Sequence, residues 1–183
     1  MDHAWWIAAT VAIAAFTPAA HAAGTTAVAF GVAGATIVQP ISVTQTADLD
    51  FGAIVGDRQQ GGSVTIAPDG SGAAYAGGAS AVPGYAPAHA AGFAVSGEAG
   101  RAYTISAPAT LTITGEMLSG GAAPSLTIAA LRVRTASRPA SGPAGLLGAD
   151  GRDSFAVGGT LVLPAAATPA HYRASLPVIV TYG

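Results

Sequence analysis

The residues best suited to chemistry in this chain are a few separate carboxylates. Asp48 and Asp50 are two positions apart, so on a strand their side chains share one face. Such a pair could act as general acid and base or hold a cation. No third acid or histidine stands beside them in the sequence, and a solvated strand face or a turn before Phe51 is the favoured interpretation. We therefore assign no catalytic residue.

Other polar groups are equally scattered. Asp69 and Asp150 each precede a glycine, a pairing that favours a turn over a calcium site, since Ca²⁺ needs six or more oxygen ligands. His89 and His171 are the only histidines after residue 22, and the chain has no Cys, so a zinc site is not expected. The phosphate-loop and nucleophile-elbow motifs are missing. We expect no enzyme activity, no metal and no cofactor.

Arginine and tyrosine side chains could bind a ligand. Arg132 and Arg134 share a strand face beside Arg138, which would suit an acidic partner or glycan, although a solvated face is the favoured interpretation. Tyr75 and Tyr85 could stack on sugar rings or anchor their own loop. The 7 basic and 9 acidic residues leave a net charge of −2, which argues against nucleic acid and against a polybasic membrane surface.

The first 22 residues are typical of an export signal. A continuous apolar run at residues 4–16 is followed by an A-x-A pattern at residues 20–22, which would make Ala23 the mature N-terminus. The run is too short to span a bilayer, and no later run reaches the ~20 residues that a membrane helix needs. The first three residues carry no Lys or Arg, which is atypical of such signals. We expect an exported protein with no membrane span after signal removal.

Alternating segments bounded by Gly, Pro, Asp and Ser predict an all-β protein. These segments lie at residues 41–46, 49–55, 63–67, 92–96, 102–107, 110–114, 125–134, 155–163 and 172–182. Short strands with frequent turns favour an antiparallel β-sandwich or a barrel. Two stretches of mostly Gly, Ala, Ser and Pro, residues 68–91 and 135–153, are predicted as exposed loops. An N-terminal arm at residues 23–38 would precede one domain at residues 39–183.

Both ends of the exported chain alternate between two faces. The arm is strand-like but precedes the first strand of the domain, so it could pair with its own domain or complete an open edge in the next molecule. The C-terminal segment alternates to the end of the chain, where most proteins fray. Eight residues of these two ends form the predicted subunit interface: Val28, Phe30, Val32, Gly34, Leu176, Val178, Val180 and Tyr182.

Five stretches occur in a characteristic order, at residues 41–52, 62–70, 93–105, 157–161 and 172–182. The most specific pieces are Leu-Asp-Phe-Gly at residues 49–52 and Val-Gly-Gly-Thr-Leu at residues 157–161. Together these stretches resemble a bacterial exported family known as domain of unknown function 4402. The resemblance implies an exported β-sandwich of unassigned biochemistry.

More loosely, the C-terminal alternation up to the penultimate Tyr182 is similar to that of chaperone–usher fimbrial subunits (pilins). That resemblance implies an incomplete immunoglobulin-like sandwich. A periplasmic chaperone would fill the gap first, and the N-terminal arm of the next subunit would fill it finally. Two features depart from the pattern: the chain has no Cys for the disulfide that pilins commonly carry, and Pro169 or Ala170 stands where they usually have Gly.

Two functions follow from these observations. The first is a structural subunit of a surface fibre or layer, with further copies, a chaperone and an usher as partners. It would be exported through the periplasm to the cell surface or the extracellular space of a Gram-negative bacterium. The alternative is a monomeric exported binding module, for carbohydrate, that uses its two long loops. A charged fraction of 9% beside 51% hydrophobic residues suits a surface that neighbours cover, which favours the first function.

Overall fold

The computed structural model describes residues 28–183, and the folded unit begins at Ile37. The predicted signal and residues 23–27 of the arm lie outside the described residues. The strands are β1 Ser42–Ala47, β2 Ile54–Gly56, β3 Gly62–Ile66, β4 Ala73–Gly77, β5 Ala79–Ala81, β6 Ala91–Ser96, β7 Ala102–Ser106, β8 Leu111–Met117, β9 Ala122–Thr135, β10 Ala144–Leu146, β11 Arg152–Leu163, β12 Ala170–Arg173 and β13 Ile179–Tyr182. One 3₁₀ turn spans Pro139–Ser141. Every strand pair is antiparallel, so the predicted all-β antiparallel class is confirmed.

The strands form two main layers. An eight-stranded sheet, here called the large sheet, has the order β1-β6-β11-β9-β8-β12, with β3 and β4 attached through β11. A three-stranded sheet, here called the small sheet, has the order β10-β7-β13. β2 and β5 form a separate pair. Over residues 28–183 no helix is long and apolar enough to cross a membrane.

The long strand β11 changes its partner at two glycines. One edge of β11 pairs with β6 at residues 152–157 and with β3 at residues 159–163. A side chain at Gly158 would collide with the carbonyl oxygen of Ile66, so only glycine fits there. On the other edge, Ala130 and Leu131 of β9 together oppose Gly159. Such a bulge bends and twists the strands, so the large sheet curls at this point.

Two hydrophobic cores hold the layers together. The first core, enclosed by the curled half of the large sheet, buries Phe51, Val64, Ile66, Ala79, Ala88, Ile113, Leu126, Ile128, Leu161 and Leu163. The second core, between the large and small sheets, buries Ala91, Phe93, Val95, Tyr103, Ile105, Leu147, Phe155 and Val157. In the second core the rings of Phe93 and Phe155 stack with centroids 4.8 Å apart. The domain is a β-sandwich whose larger sheet wraps around a core of its own.

The two Gly/Ala-rich stretches are only in part the exposed loops that were predicted. They supply β4, β5 and β10, and they bury Ala79 and Leu147. Small residues allow the paired backbones to approach closely here. Gly145 lies against the ring of Tyr103, where any side chain would clash. Composition alone suggested loops, whereas strand pairing organises part of each segment.

Two predicted strands also differ from the structure. The segment 49–55 forms a strand only from Ile54, because the backbone turns at Gly52, where φ is +69°, and buries Phe51. The segment 172–182 is divided into β12, which pairs with β8 in the large sheet, and β13, which pairs with β7 in the small sheet. The C-terminal segment therefore crosses from one layer to the other.

Candidate functional site

The predicted donor residues of the arm are exposed. Residues 28–41 belong to no strand, and the side chains of Val28, Phe30 and Val32 are 72%, 97% and 102% exposed. Gly34 has open space around it, since a Cβ there would meet no atom within 4 Å. The arm thus presents three uncovered apolar side chains at alternate positions, which would share one face in an extended strand.

The predicted receiving residues line the second core. Leu176, Val178, Val180 and Tyr182 are half-buried and pack against it. The residues between them are exposed, with Ile179 at 63%. The predicted alternation therefore describes side-chain direction correctly across residues 176–182, although only residues 179–182 form a strand.

β13 has one paired edge and one open edge. The N–H of Gly183 donates to the carbonyl of Ala102 at 3.0 Å, which marks these two residues as a hydrogen-bonded pair. Such pairs alternate along an antiparallel ladder, so Thr181 and Ile179 also direct their backbone groups toward β7. The N–H and C=O groups of Val180 and Tyr182 must point the other way. No strand among the described residues pairs with that outer edge.

Two prolines explain where the pairing with β7 stops. Continuing the register that joins Ile179 to Ser106 would place Pro177 opposite Pro108. Neither proline has an N–H, so no ladder bond can form between them. Pro177 therefore ends the paired edge and leaves the donors of the open edge intact.

The second core is bordered by a further edge strand. β1 pairs only with β6 at the end of the large sheet, and its sequence carries no charge. Ile41, just before β1, packs on the second core together with the residues of β13. An extended segment laid along the outer edge of β13 would enlarge the small sheet and cover the half-buried row, here called the acceptor row: Leu176, Val178, Val180 and Tyr182.

The carboxylates singled out in the sequence stabilise turns. Asp50 Oδ1 accepts the N–H of Gly52 at 2.8 Å, and Asp48 Oδ1 accepts the side-chain N–H of Gln45 at 2.6 Å. Both aspartates are exposed. Asp150 Oδ1 likewise accepts the N–H of Arg152 at 3.1 Å. These bonds support the turn interpretation of each aspartate.

Asp69 and the two histidines also take part in local backbone structure. The pKa of Asp69 is held below its usual value, mainly by hydrogen bonds from Ser71 and to a lesser extent by the charge of Arg134. His89 exchanges backbone hydrogen bonds with Asp50, and His171 lies in β12. Each of these three residues therefore belongs to a turn, a backbone bridge or a strand.

Sequence reasoning missed one buried polar group. Tyr103 is 1% exposed, and its hydroxyl donates to Asp153 Oδ2 at 2.7 Å. Burial, and then the bond to Asp153, raise the pKa of this phenol above its ordinary value. Ser137 donates to the same carboxylate oxygen. These bonds tie β7, β11 and the segment before β10 together, a link that spacing in the sequence could not reveal.

An open cleft of about 640 Å³ is lined in part by residues 104–107, at the end of β7, the strand that pairs with β13. Both Gly/Ala-rich stretches border it, through Pro68 on one side and Pro139 on the other. Arg132 and Arg134 also line it, and among the described residues neither guanidinium has a carboxylate within 4.0 Å. Of the two candidate tyrosines, Tyr75 packs on the first core and Tyr85 is 68% exposed.

Comparison with known proteins assigns the family. No curated protein and no solved structure matches the chain. The family model described as "Domain of unknown function (DUF4402)" matches residues 41–182, which include every strand of the domain and leave out the arm. The chain therefore belongs to the DUF4402 family.

Proposed function

We propose that this protein is a structural subunit of a surface fibre or layer, assembled by addition of the arm of one copy to the open edge of β13 in the next. The proposal rests on two features that match each other: an exposed apolar segment and a strand edge without a neighbour among the described residues. The arm exposes three apolar side chains at alternate positions. β13 directs outward, beside the half-buried acceptor row, backbone groups that pair with no strand among residues 28–183.

Strand addition would satisfy both features at once. Backbone hydrogen bonds to Val180 and Tyr182 would set the strand in place. Burial of Val28, Phe30 and Val32 would contribute about 5–8 kcal/mol by area, before the costs of ordering and association. Gly34 would fit where the approach is closest.

The same features imply help during export. An exposed apolar arm and an open strand edge invite unspecific association before assembly. We propose that a periplasmic chaperone covers the edge of β13 in transit, and that an usher in the outer membrane releases the subunit to the cell surface. This route follows the resemblance to pilins.

Assembly is tested by size-exclusion chromatography and negative-stain microscopy of the chain from Ala23 to Gly183. We expect fibres or oligomer ladders from this chain, and monomers after deletion of residues 24–34. Phe30→Asp should also abolish assembly, because the charge cannot enter the apolar row. Leu118→Asp is the matched control, since Leu118 is 77% exposed in the turn between β8 and β9 and lies outside the arm. Polymers that persist unchanged after the deletion would refute the proposal.

A second candidate function rests on the open cleft. The two Gly/Ala-rich stretches meet there beside Arg132 and Arg134, an arrangement that favours a monomeric exported module for acidic carbohydrate. A glycan array with the purified monomer should then show binding to uronic-acid-containing sugars, which Arg132→Ala with Arg134→Ala abolishes. Absence of binding to every glycan would exclude this alternative.

A further inference from the structure

The hydroxyl of Tyr182 joins three parts of the chain. It accepts a hydrogen bond from the N–H of Glu98 at 2.7 Å and donates one to the carbonyl of Gln39 at 2.7 Å. Tyr182 ends the acceptor row, Glu98 lies in the turn between β6 and β7, and Gln39 stands just before β1. Because a phenol has one hydrogen to donate, that hydrogen is committed to Gln39.

Two further neighbours, Arg101 and Gly97, restrict the position of the Tyr182 side chain. The Arg101 guanidinium carbon lies 5.2 Å from the ring centroid, and Arg101 Nε is 3.4 Å from the carboxylate of Glu98. A side chain at Gly97 would collide with the tyrosine hydroxyl, so glycine leaves the space that the hydroxyl occupies. These contacts hold the hydroxyl in a fixed position. The Tyr182 hydroxyl together with its bonds to Glu98 and Gln39 is here called the clasp.

The clasp closes one end of the space beside β13. Residues 39–41 run from the Tyr182 hydroxyl to the start of β1, and Ile41 packs on the second core. They thereby link the edge of the small sheet to the edge of the large sheet at the Tyr182 end. At the Leu176 end, residues 39–41 make no comparable hydrogen bond to the acceptor row within the described part of the chain.

We propose that the clasp is the stop that sets the register of the incoming arm. This inference rests on the proposed function. A strand with a uniform alternation of small and apolar residues can slip by two positions without moving its side chains to the other face. The arm has such a pattern, so the alternation alone does not specify its register. A barrier formed by Gln39 and Tyr182 at one end of β13 specifies a single register for the arm.

Disulfide mapping tests the register directly, because the chain has no cysteine of its own. One chain carries a cysteine in the arm, at Ala29, Ala33 or Ala35 in turn. The other carries Ile179→Cys or Thr181→Cys, at exposed positions of β13. Only directly opposed residues come close enough to form a disulfide. In the parent protein we expect each arm cysteine to cross-link with one β13 position at most.

Tyr182→Phe removes both hydrogen bonds of the clasp and keeps the ring. In this variant we expect arm cysteines to cross-link with both β13 positions. The yield of the cross-link that dominates in the parent protein should fall at least threefold. Tyr172→Phe is the matched control, because the Tyr172 hydroxyl donates to the Thr168 carbonyl away from the clasp. The control should retain a single register.

The outcomes separate the two proposals. Absence of any cross-link in the parent protein would overturn strand addition itself. A single, unchanged register in Tyr182→Phe would leave strand addition standing and overturn the stop. Should Tyr182→Phe fail to fold, Gly97→Ala displaces the hydroxyl, because a Cβ at residue 97 would occupy its space. It should broaden the register in the same direction, and an unchanged pattern would contradict the inference.

Discussion

The arm and the C-terminal segment have the same alternation in sequence and opposite environments in the structure. The arm exposes Phe30 almost completely, whereas the C-terminal segment half-buries Val180 and Tyr182 against the second core. The difference teaches that alternation measures the ability to form a strand. Whether the apolar face is covered depends on a neighbouring edge, and β7 supplies one for β13.

The largest expected contrast comes from removing each end. Truncation after Leu176 deletes β13 and uncovers the second core, so we expect the cooperative thermal transition to be lost. Deletion of residues 24–34 should leave the melting temperature unchanged, because the arm residues described are exposed. Circular dichroism melts of both variants beside the parent chain measure this. Equal melting temperatures for the truncated and parent chains would show that β13 adds nothing to the fold.

A second contrast compares two aromatic residues. Phe155 is 3% exposed and stacks on Phe93, so Phe155→Ala should lower the free energy of unfolding by about 3–5 kcal/mol. Phe30→Ala should change it little in the monomer and should weaken assembly. Urea denaturation of monomeric samples gives both values. A comparable loss in the two variants would mean that Phe30 is packed within its own subunit.

Two neighbouring prolines test the open edge. Thr181→Pro removes an N–H that faces β7, so it should lower the melting temperature strongly. Val180→Pro removes an N–H on the outer edge, so its main effect should be loss of assembly, with a smaller thermal effect from lost valine packing. Melting curves and size-exclusion chromatography distinguish these outcomes. If Val180→Pro assembles like the parent, the outer edge of β13 is not the site of addition.

The smallest expected effect concerns the buried tyrosine. Tyr103→Phe should cost about 1.5–3 kcal/mol at neutral pH, the usual worth of a hydrogen bond to a charged group, because the acceptor is a carboxylate. The pKa of Tyr103 is raised in the folded state, so its stabilisation is complete below the ordinary tyrosine pKa of about 10 and is lost as the pH rises further. The free energy of unfolding should therefore fall more steeply above pH ~10 in the parent than in Tyr103→Phe. Parallel slopes in urea titrations would contradict this assignment.

Much of the fold was predictable because period-two alternation reports side-chain direction. Eight of the nine predicted segments correspond to strands at nearly their observed positions, or in the case of 172–182 to two strands. β4, β5 and β10 escaped prediction because they are built mostly of Gly and Ala, whose alternation carries no hydrophobic contrast. The ladder partners of these strands lie elsewhere in the chain, as Tyr103 does for Gly145.

The candidate site was predictable only in part. Alternation indicated which side chains of residues 176–182 face inward, and the structure confirms that direction. The open edge of β13, the facing prolines 108 and 177, and the bonds of the Tyr182 hydroxyl were not accessible. Each of these depends on a register between distant segments.

The sequence by itself determined that this chain is all-β, that it belongs to the DUF4402 family, and that the arm and the C-terminal segment both alternate between two faces. These properties are local, since they follow from side-chain alternation and short motifs such as the Gly158–Gly159 pair. The tertiary structure alone decided that residues 170–182 cross between two sheets and that one edge of β13 meets no other strand of residues 28–183. The physical reason is that a backbone donor is free or paired according to what lies across the ladder, and that neighbour is chosen by the fold as a whole.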